Sequence, residues 1–87
     1  MHEFSLMLDL IRQVEALARQ RGAQRVTSIK LRLGPHAHLS ASHLRDLFPL
    51  VARGTMAEGA RVDINVRVDP DDPYAHDVLL ESVEMEV

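Results

Sequence analysis

Apolar residues recur at spacings of three and four between Glu3 and Arg21: Met7, Leu10, Ile11, Val14, Leu17 and Ala18. That period gathers them on one face of a helix, with Arg12, Gln13, Glu15, Arg19 and Gln20 on the other. Arg19 and Arg21 sit where the helix dipole is negative, and Gly22 suits the left-handed position just past the end. From Arg25 to Leu33 the period becomes two. Thr27, Ile29, Leu31 and Leu33 alternate with Ser28, Lys30 and Arg32, the pattern of a half-buried strand, and Gly34-Pro35 ends it. Ser40 or Ser42 then caps a second helix with the apolar stripe Leu44, Leu47, Phe48 and Val51. Pro49 lies inside that helix, so a kink or a short helix is expected before Gly54. A second alternating run places Val62, Ile64, Val66 and Val68 inward and Asp63, Asn65 and Arg67 outward. Asp69-Pro70-Asp71-Asp72-Pro73 is a strong breaker. Leu79 to Val87 is a third strand with Val83, Met85 and Val87 on one face, although Glu81 interrupts the apolar alternation near its start.

The element order α-β-α-β-β predicts an α+β two-layer fold, with two helices packed on a small three-stranded mixed sheet. Only about ten residues separate the second and third strands, so those two are expected to pair antiparallel as a hairpin. A chain of 87 residues has room for one domain, spanning 1–87. Aromatics are 3% of the sequence against 46% hydrophobic residues overall, so the core is expected to be aliphatic.

Charge and composition narrow the chemistry. A net charge of −3 gives no positive field to condense on a phosphate backbone, which argues against nucleic acid as a partner. No basic amphipathic stretch suggests a membrane surface, the apolar runs are too short to span one, and no signal-peptide core follows Met1. The absence of cysteine excludes disulfides, thiolate nucleophiles and thiolate zinc sites, and makes the cytoplasm the expected compartment. Serine-nucleophile, phosphate-loop and dinucleotide-binding motifs are also missing, so the chain is not expected to be an enzyme.

Histidines carry what chemistry remains. At Met1-His2-Glu3, a free α-amine stands beside an imidazole, and no small second residue invites removal of Met1. The amine, one or two deprotonated backbone amides and the His2 imidazole can lie in one plane. Four nitrogens in a square plane select Ni(II) or Cu(II) over Zn(II), and Glu3 can add an oxygen or orient a donor. The alternative is a frayed terminus with a solvated imidazole. His36 and His38, two apart in an extended loop, point the same way and could reach one ion. They read equally as polar loop residues. His43 falls on the exposed side of the second helix, and His76, beside Asp72 and Asp77, reads as part of a solvated loop.

Taken together, these features resemble the HypA/HybF family of hydrogenase maturation nickel chaperones. The resemblance begins at Met1-His2-Glu3 and Ser5 and runs through the first helix to Arg25-Val26-Thr27. It includes Gly34, the segment Arg53-Gly54-Thr55-Met56-Ala57-Glu58-Gly59-Ala60-Arg61 and the ending Leu80-Glu81-Ser82-Val83-Glu84-Met85-Glu86. It implies a nickel-binding accessory protein that delivers Ni(II) during maturation of a [NiFe]-hydrogenase large-subunit precursor, in company with a nickel-handling GTPase. In that family the nickel site is the Met1 amine, the imidazole and backbone of His2, and the backbone of Glu3. Two departures stand out. The family's zinc domain, with two CxxC motifs, is replaced here by a short loop, 69–77, so no structural zinc is expected. Ser40 stands where many members carry an acidic residue, and His36 and His38 are close enough in sequence to substitute for it. The competing reading is a non-metal adaptor that docks on the precursor or the GTPase. A sheet with two free edges around a small core would also allow a homodimer.

Overall fold

Helix α1, His2–Gln20, opens a computed structural model that describes residues 2–37, 39–69 and 71–87. Met7, Leu10, Ile11, Val14 and Ala18 are buried, the face given by the three-and-four spacing. Leu17 is only half-buried at the margin of that face. The helix ends in a Schellman turn. Gly22, at φ 66°, donates its N–H to the Arg19 carbonyl at 3.1 Å, and Ala23 donates to the Ala18 carbonyl at 2.9 Å.

Strand β1, Arg25–Leu33, is followed by α2, Ala41–Ala52, then β2, Arg61–Val66, and β3, Val78–Glu86. The Ser40 side chain caps α2, its oxygen accepting the His43 N–H at 3.0 Å. Leu44, Phe48, Val51 and Ala52 are buried. Pro49 lies three residues from the end of a 12-residue helix, so the one backbone bond it removes belongs to the last turns.

The fold class is as expected, an α+β arrangement with a mixed three-stranded sheet, but the pairing is not. The strand order is β2-β1-β3, with β1 parallel to β2 and antiparallel to β3. The expected β2–β3 hairpin is therefore absent. Two features explain the correction. The segment between β1 and β2 contains all of α2, which supplies the crossover that a parallel pair requires. Also, β1 alone has the continuous apolar load of a central strand: Val26, Ile29, Leu31 and Leu33 are all buried, whereas no residue of β2 or β3 is fully buried.

The β1–β3 ladder carries two irregularities that the alternation already hinted at. Leu31 pairs with Leu80 and Lys30 with Ser82, so Glu81 is an extra residue in β3. Val26 pairs with Met85 and Ser28 with Glu84, so Thr27 is an extra residue in β1, its hydroxyl donating to the Glu84 carbonyl at 3.2 Å. Each β-bulge shifts the inward phase by one residue. Hence Leu80, Val83 and Met85 all reach the core despite Glu81, and Val26 and Ser28 are buried where Thr27 was expected. Val66 is exposed, and Val68 and Val87, at 88% and 82% exposure, are almost wholly in solvent; these inward assignments are corrected. Val68 and Val87 lie beyond the ends of β2 and β3, and Val66 is the last residue of an edge strand.

Candidate functional site

The segment 53–60 closes a polar turn that joins the edge of the sheet to α1. Thr55 donates its hydroxyl to the Ala52 carbonyl at 2.7 Å and accepts the Ala57 N–H at 3.1 Å. Glu58 accepts the Gly54 N–H at 2.6 Å, and Gly54, at φ 78°, occupies a conformation open to glycine. Ala57 is fully buried. The Glu15 carboxylate on α1 accepts the Met56 N–H at 3.1 Å, while the Met56 carbonyl accepts the Val26 N–H at 2.8 Å. This motif is thus structural: it fastens α1, β1 and the approach to β2 at one point.

The opposite end of the sheet brings together two histidines, His36 and His76. Because Leu33 pairs with Val78, the chain leaving β1 and the chain entering β3 lie side by side. Gly34 donates its N–H to the Asp77 carbonyl at 2.9 Å, and His36 donates to the Ala75 carbonyl at 2.7 Å. Ala75 is buried beneath this contact, and a Cβ built on Gly34 would overlap the Ala75 and Tyr74 carbonyls. Arg32 extends over the Tyr74 ring at 5.8 Å. The result brings the His36 and His76 rings to 5.5 Å between centroids, with His76 Nδ1 at 3.3 Å from the His36 carbonyl oxygen.

A cleft of about 710 Å³ runs from this loop to the start of α1. Leu6, Leu39, Val78 and Leu79 form its apolar wall, and Glu3, His76 and Asp77 supply its polar groups. Glu3 is half-buried there. Of the expected ligands, Met1, His38 and the His2 side chain lie outside the described residues, and His2 is the first residue of α1. His36 is exposed and faces His76. His76 is an exposed loop residue, as expected, and it also lines the cleft with Glu3; the β1–β3 pairing is the signal that would have placed it there. Among the described residues, no three His, Asp or Glu side chains gather closely enough to hold a metal ion by themselves.

The fold defines a small α+β domain with a polar-edged cleft at the start of α1. No described helix is long and apolar enough to cross a membrane. Residues 1–69 match the family described as "Hydrogenase/urease nickel incorporation, metallochaperone, hypA". The chain is 46% identical over 66 residues to the hydrogenase maturation factor HypA of Methylocella silvestris, covering 76% of this chain and 58% of that protein. It is 44% identical over 64 residues to the HypA of Chlorobium limicola, covering 74% and 55%. The chain therefore belongs to the HypA family, and it spans about half the length of the curated relatives it matches. The fold matches the solution structure of the Ni metallochaperone HypA from Helicobacter pylori with a TM-score of 0.82, at 16% identity and 97% coverage of both chains.

Proposed function

We propose that this domain binds Ni(II) as cargo at the start of the chain and delivers it to a [NiFe]-hydrogenase large-subunit precursor. The donors are the Met1 amine, the imidazole and backbone amide of His2, and the backbone amide of Glu3. The observation that carries this reading is that α1 begins at His2, with Glu3 lining the cleft. The first four N–H groups of a helix have no intrahelical acceptor, so these amides can be given to a metal with no ladder bond lost. The partial positive charge at the same helix end favours their deprotonated, anionic form. Four nitrogens in a plane suit Ni(II), whereas Zn(II) prefers a tetrahedron. The Glu3 carboxylate, half-buried in the cleft, is then free to orient the chelate instead of ligating.

The family match supports a hydrogenase precursor as client; a nickel-handling GTPase as partner and the cytoplasm as compartment belong to the same reading. In this reading loop 69–77 stands in place of the cysteine-bearing insert, which is supported by the absence of cysteine and by the loop's docking on Gly34 and His36. The open edges of β2 and β3 leave strand pairing in a homodimer available as well. Equilibrium dialysis against Ni(II) tests the assignment. Untagged wild type is expected to hold one ion tightly and His2→Ala to lose that tight binding. If His2→Ala retains both the tight binding and the ability to support hydrogenase maturation, the chain-start site is wrong and the domain works as an adaptor.

A further inference from the structure

The two loops at the far end of β1 hold a pair of imidazoles that the chain-start chelate does not use. We propose that His36 and His76 form a second, weaker site for a divalent transition-metal ion of borderline softness, Ni(II) among them. His76 Nδ1 lies 3.3 Å from the His36 carbonyl oxygen. A carbonyl only accepts, so this hydrogen bond puts the proton on Nδ1 and leaves the Nε2 lone pair free for a metal. Orientation of a ligating imidazole by a backbone carbonyl on its other nitrogen is how metal-binding histidines are commonly fixed.

The ring separation fits a shared ion. Two imidazoles on one metal at about 2.0–2.1 Å in adjacent positions hold their centroids roughly 4.5–5.5 Å apart. The observed 5.5 Å lies at the upper end of that range, and both side chains are exposed. The backbone beneath them is preset by the His36 to Ala75 and Gly34 to Asp77 hydrogen bonds. Glu3 and Asp77, which line the cleft with His76, add negative charge that favours a cation. With two protein donors and water in the remaining positions, the site binds loosely and exchanges readily. Its use as a way-station for the cargo rests on the nickel reading above; binding by the pair does not.

The test uses the full chain carrying a Gly-Ser extension ahead of Met1, which converts the α-amine to an amide and removes the chain-start chelate. Ni(II) is titrated while imidazole resonances are followed by NMR. His36 and His76 are expected to broaden before His43. Orienting partners outside the ligand sphere are worth roughly 10–100-fold in metal affinity, so losing a donor in His36→Ala or His76→Ala is expected to cost at least tenfold. His76→Gln keeps a donor to the His36 carbonyl but no ring nitrogen, and is expected to bind as weakly as His76→Ala while holding the loop in place. The proposal is overturned if the extended chain binds no Ni(II), if these variants bind like their parent, or if His43 broadens equally. Failure of the chain-start site would appear separately, as nickel binding by the untagged chain that the extension leaves unchanged.

Discussion

Gly34 decides how two loops meet. The Ala75 carbonyl occupies the space a side chain would need there, and the Gly34 N–H is committed to Asp77. Gly34→Ala therefore forces backbone apart, and overpacking of this kind costs about 1–3 kcal/mol. For a domain of this size each kcal/mol lowers Tm by about 4–8 °C, which differential scanning calorimetry would read directly. The same substitution is expected to separate His36 from His76. Glu15 makes a second point at this scale. Its carboxylate, largely buried, accepts the Met56 N–H at 3.1 Å, whereas its pairing with Arg19, 68% exposed, is 3.8 Å long. Hydrogen bonds to charged groups contribute about 1.5–3 kcal/mol, while exposed helical ion pairs contribute about 0.3–0.5 kcal/mol. Glu15→Ala is thus expected to destabilise the fold to urea by the larger amount and Arg19→Ala hardly at all. Equal effects would mean that the ion pair, not the tie to Met56, is what Glu15 supplies.

At the scale of elements, both helices and the central strand were legible because their burial follows a simple period. Met7, Leu10, Ile11, Val14 and Ala18 repeat as a helix face repeats, and Ile29, Leu31 and Leu33 as a strand face repeats. The β2–β3 hairpin was misread because loop length was weighed without the competition for β1. A nearby strand loses to a distant one when the distant one offers the buried partner. The bulges at Thr27 and Glu81 show why alternation alone could not align β1 with β3, since each slips the register by one. That error also hid His76, whose place beside His36 follows from the pairing of Leu33 with Val78. The Met1-His2-Glu3 signal needed only adjacency in sequence, so it was readable without any fold. Packing of α2 against the rest gives an element-scale prediction. Leu44 is completely buried, and Leu→Ala changes in such settings cost about 2–5 kcal/mol. Leu44→Ala is expected to lower the urea midpoint with little change in the slope of the transition.

At the scale of the whole molecule, the two ends of the sheet are built differently. One end of the sheet is fastened by the turn at 53–60, where Glu15, Met56 and Val26 tie helix to strand. The other end carries the cleft, lined by Glu3 at the start of α1 and by His76 and Asp77 ahead of β3. Chelation competes with protons for the amine, amide and imidazole nitrogens, so nickel affinity is expected to fall steadily as the solution is made acidic, with protons released on binding. A buffer-dependent enthalpy in calorimetric titration would reveal that release, and its absence would exclude deprotonated amides from the donor set. The central claim is that the leading residues themselves ligate nickel. Optical absorption of the untagged chain during Ni(II) addition tests it most directly. The account predicts the weak yellow d–d band of a planar nitrogen site, saturating at one equivalent and abolished both in His2→Ala and by residues added ahead of Met1. The same band surviving in either altered chain would contradict it.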